Sequence, residues 1–350
     1  MRRRRVLGAV AILGLGALVL AGCSSSSGST TSATSNSTLG GASLQSNYET
    51  VISDVMPSVV EITSANSLGS GIVLDSKGDI VTNNHVVAGT SEYTVTLSTS
   101  SETFAAKLVN RFPQGDLAVI KMTDPPSDLK PATFADSSKA VVGQIVLAMG
   151  NPIGLSSSAT DGIISATGRT VTEPQSADTP AATLTDMIQT SASINSGNSG
   201  GALVDLSGAV VGVPTLTAVD QTLGGSHPGI GFAISSDTAK RIADQIVSSG
   251  KVTDSGLASL GITGRSLVDR DSKPVGVGVV EVTAGGPAAN AGIVAGDVIT
   301  SVNKVSVTSM DALASVLAHL QPGQKVPVGI TKTDGTTSTV EVTLGTLQVS

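Results

Sequence analysis

The chain has 350 residues, 40% of them hydrophobic and 13% charged, with 40 glycines, no tryptophan and a formal net charge of −7. That length allows two or three domains, and the composition excludes a collagen-like or wholly disordered chain. Aromatics make up only 2%, so Val, Ile, Leu and Ala must fill the core, and the acidic balance argues against a nucleic-acid partner held by the general field.

The N-terminus reads as a targeting segment. Arg2 to Arg5 form a basic region ahead of an apolar stretch from Val6 to Leu20, the pattern of a secretory signal at residues 1–22. The apolar stretch is short of the roughly 20 residues of a comfortable membrane span. The alternative, that the arginines are a nucleic-acid tail, fits poorly with an apolar run directly behind them. Leu20-Ala21-Gly22-Cys23 resembles the bacterial lipobox, which implies cleavage before Cys23, lipidation of that cysteine and attachment to a membrane. An ordinary cleavage site with an incidental cysteine and an uncleaved anchor are the alternatives. Cys23 is the only cysteine in the chain, so no intramolecular disulfide can form. Cleavage would remove four arginines and no acids, leaving 16 Lys+Arg against 27 Asp+Glu. Residues 23–45 are then a Ser/Thr/Gly-rich tether, spanning on the order of 25 Å as a random coil.

Order is expected from residue 46, where Ser46 and Glu49 have capping-box spacing ahead of a short helix carrying Val51 and Val55. Strands are predicted at 59–63, 71–75, 79–82, 93–97, 104–109, 117–122, 145–149, 163–167, 187–190, 202–204, 210–213 and 230–234. The sequence DSKG at 75–78 supplies a hairpin turn. So many short strands in so short a stretch point to closed or nearly closed antiparallel barrels. Ser236 is expected to cap a helix carrying Ala239, Ile242 and Ile246 that stops at Gly250. Residues 46–249 thus form one domain and 250–256 a linker. A smaller α+β domain follows at 257–347, with strands at 276–282, 298–302, 326–330 and 338–343. Its helix is capped by Thr308 or Ser309 and carries Leu313, Val316, Leu317 and Leu320.

The chemistry gathers around NSGNSGGALVD at 195–205. A hydroxyl is a poor nucleophile unless a base takes its proton and donors face the oxyanion formed in acyl transfer. Glycine opens backbone angles closed to other residues, so the amides of Gly197 and Ser199 can turn toward one point, with Asn198 between them. An incidental serine in a glycine-rich hairpin is the bland alternative. Of the three histidines, His227 lies in a loop and His319 on the C-terminal domain's helix, whereas His85 follows an apolar strand. Asp116 opens the apolar run DLAVIKM. Taken singly, His85 reads as structural and Asp116 as a turn residue. In the order His85, Asp116, Ser199 they match the chymotrypsin-type triad. Three scattered histidines and one cysteine make no metal cluster, and no cofactor is expected.

GSGIVLDSKGDIVTNNHVVAG (69–89), DLAVIKM (116–122), GQIVLAMGNPIGL (143–155), GIISATGR (162–169), QTSASINSGNSGGALVD (189–205) and GIGFAIS (229–235) together resemble the HtrA family of serine proteases. Leu260-Gly261-Ile262 and GGPAANAGIVAGDVI (285–299) resemble that family's PDZ domain. The resemblance implies a mainly β chain: a chymotrypsin-like protease domain of two six-stranded barrels, then one α+β PDZ domain. It implies Ser199 as nucleophile, His85 as general base, Asp116 as its orienter and Gly197, Asn198 and Ser199 as the oxyanion hole. It further implies a homotrimer through the N-terminal part of the protease domain, where Tyr48 is the nearby aromatic. Ser191 and Ser196 depart from the family, which usually has an acid and a proline there.

Residues before the serine line the primary specificity pocket of such enzymes, here Ser193, Ile194 and Asn195. No acid stands six positions before Ser199 to bind Lys or Arg. The expected cleavage is therefore after Val, Ala or Ile, which folded proteins bury, making unfolded or misfolded polypeptides the substrate class. The loops 171–186 and 213–228 are candidates for ordering the oxyanion hole, or are plain surface loops. The PDZ domain is expected to take C-terminal peptides as an added strand, the carboxylate resting at Leu260, Gly261 and Ile262. The reading is a lipid-anchored serine endopeptidase of bacterial envelope quality control, on the outer face of the cytoplasmic membrane. A non-proteolytic chaperone or peptide sensor, and a processing protease for one partner, are the alternatives.

Overall fold

The computed structural model describes residues 41–64, 67–100, 102–151, 158–173, 182–195, 197–215 and 229–348. Cys23, residues 24–40 of the tether, His227 and much of the two loops lie outside these, whereas residues 41–45, expected as tether, are the first turns of a helix. Helix α1 (Gly41–Val55) leads into β1 (Val59–Thr63). With β2 (Leu68–Val73), β3 (Asp79–Thr82), β4 (Glu92–Leu97), β5 (Thr103–Phe112) and β6 (Leu117–Met122), it closes a barrel in the order β1-β2-β3-β6-β5-β4. A second closed barrel, β10-β11-β12-β9-β8-β7, is built from β7 (Ile145–Gly150), β8 (Ser158–Glu173), β9 (Ala182–Thr190), β10 (Ala202–Asp205), β11 (Val210–Thr215) and β12 (Gly231–Ser235). Neighbouring strands in both barrels run antiparallel. All twelve expected strands are present, because short Val/Ile-rich runs bounded by Gly, Ser, Asn and Asp mark buried strands.

Three departures have local causes. Helix α1 begins before Ser46, which lies inside it, its carbonyl accepting from the Thr50 hydroxyl, Oγ1, at 2.9 Å. The cap position of α2 (Ser236–Ser249) is Ser235 rather than Ser236. Ser236 instead donates its hydroxyl to Ala135 O at 2.8 Å, tying the helix to the chain between the barrels. Strand β11 runs two residues past its expected end, through Pro214 to Thr215, and this extension delivers a site residue. The DSKG turn forms as expected, Asp75 Oδ1 accepting from the amides of Lys77 and Asp79 at 2.9 and 3.1 Å.

The interiors are aliphatic. Val60, Ile62, Ile80 and Ile120 fill the first barrel; Val146, Ile164, Leu203 and Ala233 fill the second. A larger cluster joins them: Val59, Ile72 and Val119 from one barrel, Leu147, Val204 and Val213 from the other, and Val51, Ala239, Ile242 and Ile246 from the helices. Burying each Val, Leu or Ile of this cluster contributes about 1.5–3 kcal/mol, so the two barrels are fixed against each other rather than merely linked. The connecting stretch is anchored too. Val252 is buried in the joint cluster, and Gln245 Oε1 accepts from the amides of Thr253 and Asp254 at 2.9 and 2.7 Å.

The C-terminal domain holds β13 (Ala258–Ser259), β14 (Ile262–Val268), β15 (Pro274–Val282), α3 (Pro287–Asn290), β16 (Val298–Val302), β17 (Val305–Ser306), α4 (Met310–Leu317), β18 (Lys325–Thr331), β19 (Thr337–Thr343) and β20 (Gly345–Thr346). The main sheet runs β14-β15-β16-β18-β19. Of the two candidate caps for α4, Ser309 is the one used, accepting from Ala312 N at 3.1 Å. Strand β14 has no counterpart among the expected strands: ITGRSLV is half-exposed along its length and reads as polar. It is an edge strand, and beside α4 it borders an apolar hollow of about 210 Å³ lined by Leu260, Ile262, Met310, Leu313 and Leu317.

Candidate active site

Asp116 sits in the left-handed region, φ 48°, directly after a 3-10 turn at Pro113–Gly115. Such a conformation is uncommon for a non-glycine residue. It is held by the main chain: Asp116 O accepts from Asn84 N at 3.1 Å and from Asn83 Nδ2 at 3.0 Å. The side chain thereby faces the turn that carries His85.

Asp116 is 2% exposed, and its carboxylate receives three donors. His85 N donates to Oδ1 at 3.0 Å, Thr215 Oγ1 donates to Oδ2 at 2.8 Å, and His85 Nδ1 lies 2.9 Å from Oδ2. A carboxylate only accepts, so Nδ1 carries the proton and Nε2 is left as the basic nitrogen of the neutral ring. Thr215 comes from the other barrel, at the end of the extended β11. Sequence reasoning missed it because Pro214 reads as a strand end; the signal was the run VVGVPT continuing apolar through the proline.

Ser199 is 1% exposed and lies on the loop that feeds β10. Its surroundings connect it to the pair. Gly200 N donates to Pro214 O at 2.9 Å, one residue before Thr215. Ser70 N donates to Ser199 O at 2.9 Å. A Cβ on Gly200 would stand 2.3 Å from Ser70 O and 2.4 Å from Thr82 Oγ1, so the loop presses on the strand leading to His85. The Ser199 hydroxyl itself points at Asn195 O, a long 3.4 Å contact.

The residues expected to form the oxyanion hole are tied internally. Gly197 N donates to Asn195 Oδ1 at 3.0 Å. Asn198 is a latch, its Oδ1 accepting from Asn195 N and its Nδ2 donating to Ser193 O, both at 2.9 Å. Of the expected pocket residues, Ile194 is half-buried against the second barrel's core, and a Cβ on Gly231 would meet its Cγ1 at 2.4 Å. Ser193 and Asn195 are exposed, and Asn195 serves the loop as described. The Ser191 hydroxyl, where the family usually has an acid, accepts from Ile163 N at 3.0 Å. His319 stands apart, its Nδ1 2.8 Å from Ser315 O on α4.

In the C-terminal domain Leu260 is buried and Gly261 has φ 67°. Gly261 N donates to Ser259 Oγ at 3.0 Å. Leu260 O and Gly261 O accept from Ala288 N and Thr283 N, both at 2.9 Å, which fixes the turn ahead of β14.

Two antiparallel six-stranded barrels with an Asp–His pair and a Gly-flanked serine at their junction, followed by a PDZ-like sheet, define the chymotrypsin-like class with an appended PDZ domain. Residues 69–213 match the trypsin-like peptidase domain and residues 258–344 the PDZ domain. The serine protease PepD of Mycobacterium tuberculosis is 40% identical over 314 residues, 85% of this chain and 66% of that protein. The periplasmic pH-dependent serine endoprotease DegQ of Escherichia coli is 40% identical over 286 residues, 80% of this chain and 59% of that protein. The chain therefore spans between about half and two-thirds of the length of such curated relatives. Among solved structures, the HtrA-type protease AlgW with a tripeptide is 32% identical at TM-score 0.56, covering 87% of this chain and 98% of that one. The serine endoprotease from Yersinia pestis is 33% identical at TM-score 0.56, covering 86% and 98%. The chain belongs to the HtrA family of trypsin-like proteases that carry a PDZ domain.

Proposed function

We propose that this protein is a serine endopeptidase acting on unfolded or misfolded polypeptides of the bacterial envelope. The observation that carries the proposal is the threefold hold on Asp116, two donors from His85 and one from Thr215 across the barrel junction. That hold orients the imidazole and leaves Nε2 free of the proton. In the proposed reaction the Ser199 hydroxyl swings from Asn195 O toward Nε2 and gives up its proton. Oγ then bonds to the scissile carbonyl carbon, whose oxygen takes the negative charge in front of the Gly197 and Ser199 amides. The imidazolium returns the proton to the leaving amine, and water repeats the sequence on the acyl-enzyme.

Ile194 packed on Gly231 supports a shallow apolar primary pocket and cleavage after Val, Ala or Ile. The apolar hollow beside edge strand β14 supports capture of a C-terminal peptide, its carboxylate at Leu260, Gly261 and Ile262. Relatives named periplasmic support the envelope location. Anchoring through Cys23 on the outer face of the cytoplasmic membrane, and a homotrimer, complete the proposal. Tyr48 packs partly against its own chain's core, so other residues of α1 would form most of the trimer contact.

A second reading has one observation in its favour. The Gly197 amide is engaged by Asn195 Oδ1, which suits a resting, peptide-binding state without turnover. Labelling with a fluorophosphonate separates the two. The protease reading expects stoichiometric labelling of the full chain and none of Ser199→Ala; an unlabelled wild-type chain that still binds unfolded casein selects the chaperone reading. Cleavage sites in casein mostly after Lys or Arg would overturn the pocket assignment, and equal affinity for free and amidated C-terminal peptides would overturn carboxylate capture.

A further inference from the structure

We infer that Ser70 is a positioning residue for the nucleophile loop: its side chain clamps the Gly197–Asn198 peptide just ahead of Ser199 and so sets the rate of the chemical step. The inference rests on Ser199 being the nucleophile.

Ser70 lies in β2 of the first barrel and is 0% exposed. Its three polar groups are all used. The amide donates to Ser199 O at 2.9 Å, and the carbonyl accepts from Thr82 Oγ1 at 2.6 Å. The hydroxyl lies 2.7 Å from Gly197 O and 2.9 Å from Asn151 N. Its proton can be placed by elimination. The Asn151 amide can only donate, so Ser70 Oγ accepts there and must give its own proton to Gly197 O.

Two carbonyls, on either side of the nucleophile, are thus held by one residue of the opposite barrel. Peptide units are planar, so fixing Gly197 O fixes the plane of the Gly197–Asn198 peptide, and fixing Ser199 O fixes that of Ser199–Gly200. Between them Asn198 O accepts from Gly201 N at 3.0 Å. The torsions that aim the Ser199 amide and hydroxyl therefore have little freedom left. The packing is tight enough to transmit this hold, because a Cβ on Gly201 would come within 3.2 Å of Ser70 Cβ and 2.2 Å of Met149 O. Asn151 follows directly on β7. The Ser70 hydroxyl therefore bridges both sides of the junction, tying the nucleophile loop to the end of a second-barrel strand.

Ser70→Ala keeps the hydrogen bond that the backbone N–H donates to Ser199 O but removes the hydroxyl partner of Gly197 O and Asn151 N. Misplacing a reacting group by about 1 Å can cost on the order of 100-fold, so kcat should fall by about 10- to 100-fold. The test uses the full chain with a peptide p-nitroanilide ending in Val. Ser70→Ala is expected to lower kcat with KM within about twofold, and to weaken a peptide boronic acid, which mimics the tetrahedral adduct, by the same factor as kcat/KM. Ser70→Cys, which keeps a weaker donor, should recover part of the loss. Affinity for the uncleaved peptide, measured in Ser199→Ala with and without Ser70→Ala, should not change. A lowered melting temperature with kcat unchanged, or a loss confined to KM, assigns Ser70 to folding or binding alone and overturns the inference. If Ser70→Ala fails to fold by circular dichroism, Ser70→Cys decides by the same criteria. A wild-type chain that resists fluorophosphonate removes the nucleophile assignment itself. Wild type and Ser70→Ala labelled at equal rates removes only the role of Ser70.

Discussion

Thr215→Val isolates the hydroxyl that one barrel lends to the other's carboxylate. Valine keeps the shape and replaces Oγ1 by a methyl group, so the packing around a residue 1% exposed is preserved. What is lost is the 2.8 Å donor to Asp116 Oδ2. Hydrogen bonds to charged groups contribute about 1.5–3 kcal/mol, and with both residues buried no water can replace this one, so unfolding in urea should show a loss of about 2 kcal/mol. Asp116 then keeps only the two donors from His85 and is free to tilt, taking the ring with it. A drop in kcat/KM of about tenfold or more is expected on the Val p-nitroanilide substrate, and Thr215→Ser should stay close to wild type. Stability within about 0.5 kcal/mol of wild type, or kcat/KM within about twofold, would refute the claim that the cross-barrel bond orients the carboxylate.

Three further outcomes are expected. Gly200→Ala forces a Cβ at φ 79° to within 2.3 Å of Ser70 O; it should lose about 3 kcal/mol or more by urea unfolding, and wild-type stability would contradict the packing. Asn195→Ala frees the Gly197 amide from Oδ1, a bond worth about 0.5–1.5 kcal/mol; basal fluorophosphonate labelling should quicken by up to about tenfold, and slower labelling would show that Asn195 supports the active loop. Asp79, buried and 2.9 Å from Lys121 Nζ, has its carboxyl raised above 3.8, chiefly by burial and against the opposing pull of Lys121. The folded chain therefore binds this proton more tightly than the unfolded one, a contribution present below 3.8 and lost as pH rises through the folded value. Asp79→Asn lacks it, so the wild type's stability relative to the variant should be greater at about pH 3.5 than at about pH 7; the opposite slope in urea titrations would refute the sign.

The barrel strands were legible as short apolar runs between turn residues, as in VVEIT and LAVIKM, whose buried side chains divide between two core clusters. Strand β14 was not, because an edge strand with half-exposed residues carries no such pattern. The helix starts near Ser46 and Ser236 were misplaced for a shared reason. A hydroxyl that suits a cap suits other partners equally well, and Ser236 found Ala135 O. The sequence order put His85 and Asp116 together ahead of a glycine-rich serine loop, and the structure pairs those two side chains at 2.9 Å. Thr215 and Ser70 could not be read that way, since Thr and Ser are common and their roles depend on what lies across the junction.

Sequence by itself determined the barrels, the PDZ-like domain and the residues able to form a Ser-His-Asp site, because periodicity and motif spacing are local and survive in one dimension. Only the tertiary structure decided which carbonyl each buried hydroxyl holds, that Asn195 occupies the Gly197 amide, and that a threonine beyond a proline steadies the aspartate. Those are directional bonds between segments as far apart as 99 residues for Thr215 and Asp116 and 127 for Ser70 and Gly197, or within a loop whose torsions glycine leaves open. Distance along the chain says nothing about their angles; the packed aliphatic layer between the barrels sets them.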